Sequence, residues 1–304
     1  MNKQTLSVVI SAFNEEKKIE ECLKSIQDLA SEVIVVDNSS TDKTTQIVKK
    51  YTSKIFKREN NLMLNINKNY GFSKATSDWI LSLDADERVT EELSDEIRAL
   101  LQSEVSEIDG YYMPRKNIIF GKWISHTGWY PDHQLRLFRK GKGKFPEKNV
   151  HEMLVVEGRV EYLKHPILHY NYETVSQFLR KHTIIYAPNE AEDRLRKGYN
   201  FHYFDSVRFP AKEFMSRFFA REGYKDGVHG LVLSILLAFY HFIIFCYLWE
   251  KFNFEDKTNG SFLKDTEKEF NKVGKEMKYW FLTSLYKNTN DTVEKLFIKL
   301  KRRL

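Results

Sequence analysis

Short apolar runs alternate with amphipathic stretches along the first hundred residues. Leu6-Ser7-Val8-Val9-Ile10 is apolar at nearly every position, as a strand buried on both faces of a parallel sheet requires. Small and polar residues from Ser11 to Glu16 break it and predict the start of a helix running to about Leu29. In that helix Ile19, Cys22, Leu23 and Ile26 recur at three- and four-residue spacing. Glu32 to Asp37 predicts a second strand that ends in an acid. Capping residues from Asn38 to Asp42 lead into a helix from about Lys43 to Tyr51. Ile55-Phe56-Lys57, a helix over Asn67–Ala75 and a strand over Trp79–Asp84 complete the series. Strands alternating with helices through short loops imply a parallel sheet with right-handed crossovers. Such sheets bind ligands outside the carboxyl ends of their strands, where Asn14, Asp37, Asn38, Asp84 and Asp86 all fall.

Farther on, Glu91–Leu101 has the pattern of an amphipathic helix. An irregular, antiparallel region follows, with a turn at Ile118–Gly121. Gln134–Arg139 alternates so that Gln134, Arg136 and Phe138 share a face, and His165–Tyr170 closes the region as a short strand. From Thr174 the period is helical. The expected division is therefore a sheet domain over 1–172 and a helical region over 173–304. Val228–Trp249 carries no Asp, Glu, Lys or Arg and is long enough to cross a bilayer. Its His229, Ser234, Tyr240 and His241 make it a poor single span, so the expectation is membrane association, with a true span the lesser case. Val293–Leu304 is a basic amphipathic stretch suited to anionic lipid, or else a solvated end.

Charge and cysteines narrow the class. The net charge of +6 is spread out, with a cluster only at Lys299, Lys301, Arg302 and Arg303. That distribution points to a membrane surface or an anionic substrate and away from nucleic acid. Cys22 and Cys246 are far apart in apolar contexts, as reduced core residues of a cytosolic protein are. Met1–Thr5 runs into the first strand without the pattern of an export signal.

The candidate chemistry sits at the end of the fourth strand. Asp84, Asp86 and Glu87 place three carboxylates within four residues, and each raises the pKa of the next. A divalent cation removes that cost, and hard oxygen ligands suit Mg²⁺ or Mn²⁺. The competing reading is a solvated acidic turn before the next helix. Asn14 and Asp42 also suit helix caps, and Asp37 with Asn38 suits a turn.

The ordered set Val9–Glu16, Val35–Asp42 and Asp84-Ala85-Asp86 resembles family-2 inverting glycosyltransferases of the GT-A fold. Asp132–Arg139 and Val150-His151-Glu152 resemble the branch containing lipopolysaccharide and lipooligosaccharide core β-1,4-glucosyltransferases. The resemblance covers about Leu6–Tyr172. It implies a nucleotide-sugar-binding α/β domain with a mostly parallel sheet, followed by a helical, membrane-associating region. It implies that Ala12, Phe13, Asn14, Glu15, Asp37 and Asn38 hold the uracil and ribose of a UDP-sugar. Asp84 would lie near the ribose, and Asp86 would ligate Mn²⁺ or Mg²⁺ at the diphosphate. Asp132 and Glu152 compete as the base for the acceptor hydroxyl, with the lean to Asp132. Arg136 would neutralise diphosphate charge and His151 would position a carboxylate or substrate. The expected enzyme moves a hexose, by preference glucose, to a lipopolysaccharide-core or other lipid-linked glycan at the inner face of the cytoplasmic membrane. A transferase acting on peptide side chains and a non-catalytic nucleotide-sugar-binding domain are the alternatives.

Overall fold

The computed structural model describes residues 4–59, 64–103, 107–147, 153–256, 258 and 260–301. It divides into two compact units, Met1–Ile118 with Trp129–Asn171 and Ile119–Gly128 with Tyr172–Leu304. The boundary near 172 is thus accompanied by an excursion at 119–128 that belongs with the second unit. The reason lies in the Asp226 carboxylate. It accepts from the backbone N–H of Ser125 and of His126 and from the Ser125 and Thr127 hydroxyls, all at 3.0–3.1 Å.

The first unit begins with β1 (Leu6–Ala12), α1 (Ile19–Ile26), β2 (Glu32–Asp37), α2 (Thr44–Val48), β3 (Ile55–Lys57), α3 (Leu64–Lys74), β4 (Trp79–Asp84), β5 (Glu87–Val89) and α4 (Glu91–Gln102). β6 (Ile108–Met113), β7 (Arg115–Ile119), β9 (Gln134–Arg139), β10 (Gly143–Lys144), β11 (Val155–Val156), β12 (Arg159–Tyr162) and β13 (Ile167–Tyr172) follow, while β8 (Lys122–Trp123) falls in the 119–128 segment of the second unit. The main sheet has the order β12-β6-β9-β4-β1-β2-β3. β1, β2, β3 and β4 run parallel, and β9 inserts antiparallel between β4 and β6. Val8 and Ile10 pack with α1 and α4 on one face, and Val9, Ile34 and Ile80 pack with α3 on the other. Both faces are covered, which is why these strands read as unbroken apolar runs.

Two local details differ from the sequence expectation. The helix after β1 starts only at Ile19, because Asn14 takes a left-handed φ of +54° and Glu15 and Glu16 are bound into the β2–α2 loop. Ile118 and Ile119 end a strand, and the turn itself falls at Phe120 and Gly121, both with positive φ. In α3, a Cβ on Gly71 would lie 2.5 Å from the Val9 side chain. Glycine there lets α3 approach β1 closely, and Asn67 of the same helix reaches Asn38 at the end of β2.

The second unit is helical: α5 (Val175–Arg180), a π-helical turn (Lys181–Tyr186), α6 (Ala187–Arg196), α7 (Asp205–Met215), α8 (Val228–Lys251), α9 (Phe262–Asn288) and α10 (Thr292–Lys301). α5 opens with a reciprocal capping box between Thr174 and Gln177. Among the described residues one helix, α8, is long and apolar enough to cross a membrane.

Candidate active site

Register brings the candidate acids together. Ala12 at the end of β1 pairs with Asp37 on one side, and Ser11 pairs with Asp84 on the other. β9 runs against β4, so its first residues, and Asp132 just before them, lie at the same carboxyl edge.

On the β2 side, Asn38 donates to the Ser11 hydroxyl (3.0 Å) and accepts from Asn67 of α3 (2.6 Å). Asn14 accepts from the Thr41 backbone N–H (2.8 Å), while its own N–H donates to the Ser40 hydroxyl. Glu15 N–H donates to the Thr44 hydroxyl, and Asp42 accepts from the Thr44 N–H in the turn before α2; the N-cap position is Lys43, so Asp42 is not the cap expected of it. Phe13 is exposed and Ala12 buried. The Asp37 side chain is buried; Oδ1 accepts from the Ser40 N–H (3.2 Å), and Oδ2 takes no hydrogen bond from the described residues. A buried acceptor left so costs about 1–3 kcal/mol, a cost that an N–H or O–H of a ligand removes.

On the β4 side the acids are held by cations that local sequence did not reveal. Asp84 Oδ1 is 2.5 Å from Lys68 Nζ and Oδ2 is 2.7 Å from the Arg136 guanidinium. The same guanidinium nitrogen donates to Glu87 Oε1 at 2.7 Å, and Glu87 Oε2 accepts the Asp84 N–H. Glu87 is fully buried, so it is an interior counter-charge and not part of an acidic surface. Arg136, expected at the diphosphate, is buried with its charge committed to Asp84 and Glu87. Burial opposes ionisation of Asp84, but Lys68 and Arg136 outweigh it and hold its carboxyl well below the usual range.

Asp86 and Asp132 are joined through two residues the sequence reading did not single out. Asp132 Oδ2 accepts from Arg115 Nε and its terminal nitrogen (2.9 and 2.7 Å) and from Asn117 Nδ2 (3.0 Å), and Oδ1 accepts from Gln134 (3.0 Å). Asn117 is fully buried and also donates to the Trp129 carbonyl. Both acceptors face its amide nitrogen, so its oxygen faces His169 Nδ1 at 2.7 Å. His169 must therefore carry a proton on Nδ1, and its Nε2 points toward Asp86 Oδ2, 3.6 Å away. Burial works against the charge on Asp86 while the His169 contact lowers its pKa. For Asp132 burial is likewise outweighed, by Arg115, Asn117 and Gln134. Asp132 has φ +34°, a left-handed conformation rare outside glycine, and these hydrogen bonds hold it there. His151 and Glu152 lie outside the described residues.

A sheet with this order, with carboxylates gathered at the ends of β1, β2 and β4, is the GT-A-like α/β fold of nucleotide-sugar transferases. Residues 7–154 match the family model described as Glycosyl transferase family 2; that segment belongs to the family, and the chain is a glycosyltransferase. An uncharacterized glycosyltransferase of Rickettsia typhi is 28% identical over 78% of this chain and 84% of its own length. The lipopolysaccharide core biosynthesis glycosyltransferase LpsC of Rhizobium meliloti is 25% identical over 84% of this chain and 96% of its own. Among solved structures, S. aureus TarS 1–349 in complex with UDP-GlcNAc aligns over 84% of this chain and 93% of that one, at 16% identity with a TM-score of 0.43.

Proposed function

We propose that this glycosyltransferase moves a hexose, by preference glucose, from a UDP-sugar to a lipopolysaccharide-core or other lipid-linked glycan, with inversion, at the inner face of the cytoplasmic membrane. The observation that carries the reading is the continuous chain Asp86–His169–Asn117–Asp132, which ties a diphosphate-side carboxylate to a base on the acceptor side. Asp37 Oδ2 is the acceptor for a donor group of uracil or ribose, with Ala12, Phe13, Asn14, Glu15 and Asn38 shaping that end. The similarity to a lipopolysaccharide core transferase supports the acceptor class.

The donor set fits Mn²⁺ or Mg²⁺ held by two protein ligands. The Asp86 carboxylate and the His169 imidazole face one another at 3.6 Å, and both are side-chain types that such an ion takes as ligands. Among the described residues no group of three or more His, Cys, Asp or Glu is gathered for a metal, so diphosphate oxygens and water would complete the shell. When bound, the ion neutralises charge on the departing UDP. Asp132 Oδ1 takes the proton of the acceptor hydroxyl, whose oxygen attacks the anomeric carbon; the bond to the diphosphate breaks and its electron pair leaves with UDP. Arg136 acts by fixing Asp84 and Glu87.

The test is UDP release from UDP-glucose, UDP-galactose and UDP-GlcNAc, with lipopolysaccharide-core acceptor, peptide acceptor or water, and the anomeric configuration of the product. Glucose transfer with inversion to the core acceptor is expected. Transfer to peptide alone, or retention, overturns the reading. Asp132→Asn should lower turnover about a hundred- to ten-thousandfold with UDP-sugar affinity kept. Normal turnover there, with loss in Glu152→Gln, moves the base to Glu152.

A further inference from the structure

α8 has two faces of different fate. Gly230, Leu233, Ser234, Leu237, Ile244 and Leu248 are buried within the second unit. Val228, Leu231, Val232, Ile235, Phe239 and Phe242 recur at three-, four- and seven-residue spacing and are all exposed, and Trp249 continues the line. A second outward stripe lies on α10, where Val293, Leu296, Phe297 and Leu300 are each more than half exposed while Ile298 turns inward. Helices of soluble proteins bury such stripes, and contiguous exposed apolar surface beyond a few hundred Å² marks an interaction site.

The inner face of α8 packs on α6 and α7, and those helices bring charge to its middle. Glu213 lies 3.6 Å from His241 and is paired with Arg217 at 2.6 Å. Arg194 is paired with Glu190 on the same α6 that packs against α8, and Lys251 faces Glu192. A helix of 24 residues is about 36 Å long, so His241 and the Glu213–Arg217 pair beside it sit well away from its ends. Were α8 to cross a bilayer, these charges would enter the hydrocarbon with it.

We propose that the second unit docks on an anionic lipid surface through the outward stripes of α8 and α10, and that α8 lies along the surface without crossing. The chemistry of the rims selects this occupant. After Glu294 the charges of α10 are all positive, Lys295, Lys299 and Lys301, and Arg302 and Arg303 follow. An apolar stripe edged by cations, as on α10, is what an anionic interface takes, and the chain as a whole carries +6. The proposal rests on the reading of the acceptor as lipid-linked, and gives that reading a surface.

The test uses the whole chain and two vesicles, phosphatidylcholine alone and phosphatidylcholine mixed with phosphatidylglycerol. Binding should require phosphatidylglycerol and weaken at high salt. The doubles Ile235→Glu with Phe239→Glu and Phe297→Glu with Leu300→Glu should each weaken it at least tenfold with unchanged melting temperature. Equal binding by both doubles overturns the proposal, as does self-association that hides these faces without lipid. Fluorophores at cysteines replacing Val228, Phe239 and Trp249 should report one shallow depth, whereas a deep Phe239 between shallow ends means a span and overturns the in-plane reading. The vesicles carry no glycan, and turnover on a soluble acceptor is scored separately, so docking and transfer fail independently.

Discussion

Asp37 and Asp84 flank the same strand, β1, yet their carboxylates are held in opposite ways. Asp37 is buried with one oxygen bound to a backbone N–H and the other without a donor among the described residues. Asp84 is partly exposed, with each oxygen on a cation, Lys68 or Arg136. The β2 side keeps acceptor capacity for a neutral, hydrogen-bonding ligand. The β4 side has its charges balanced internally and leaves Asp86, which faces the His169 imidazole at 3.6 Å, as the carboxylate able to change partner. An acceptor without a donor among the described residues and a balanced cluster of charges thus stand on opposite sides of one strand.

Breaking the β4 side at Asp86 should have the largest effect. Asp86→Ala is expected to lower turnover on the order of a thousandfold, about 4 kcal/mol, with the fold kept. His169→Ala should raise the Mn²⁺ concentration needed for half activity. Undiminished wild-type turnover in excess EDTA sinks the metal role for both.

Next comes the interior pair. Arg136→Leu leaves Glu87 buried with the Arg115 guanidinium 3.7 Å away. Urea unfolding should show a loss of about 3 kcal/mol. Lys68→Met strips one of two cations from Asp84, whose carboxylate is 32% exposed and keeps Arg136, and should cost less than the Arg136 change. Equal losses would erase the distinction between a fully buried carboxylate and one that water still reaches.

Smaller again is the β2 side. Asp37→Asn should weaken UDP binding about tenfold by calorimetry, with stability changed by less than about 1 kcal/mol, since no cation is left unpaired. A large stability loss with normal UDP affinity would make Asp37 a turn residue after all.

The mildest expected effect is on acid stability. The carboxyls of Asp84, Asp86 and Asp132 are all held below the usual carboxylate range by the cations and hydrogen-bond donors around them. A depressed carboxyl contributes stability that is complete above its unfolded pKa, about 4, and is lost as pH falls through the folded value. Urea midpoints should therefore hold steady from about pH 7 to pH 5 and fall below about pH 4. Asp132→Asn should make that fall shallower; an unchanged slope would mean its ion pair with Arg115 does not form in solution.

Much of the frame was legible because its signals are local. β1, β2 and β4 are continuous apolar runs, the acid that ends β2 and the acid that ends β4 are adjacent in sequence to those runs, and α4 shows its period within a dozen residues. The sites that went unnoticed depend on pairs distant in sequence. His169 meets Asn117 across 52 positions and Arg136 meets Asp84 across the same number. A lone buried Asn or His carries no periodic signature, although the alternation in Gln134–Arg139 did mark a strand on which an arginine had to point inward or out. Burial on both of its faces decided for inward.

The sequence by itself determined where strands end and which polar residues stand at those ends, because hydrophobic period and chain punctuation act over a few residues. It also determined that one helix, α8, would be long and predominantly apolar. Only tertiary structure decided which carboxylate keeps an oxygen to give, that Glu87 is an interior counter-charge, and which side of α8 faces solvent. Those outcomes depend on desolvation and on partners brought together by the sheet, and neither quantity exists until the chain is folded.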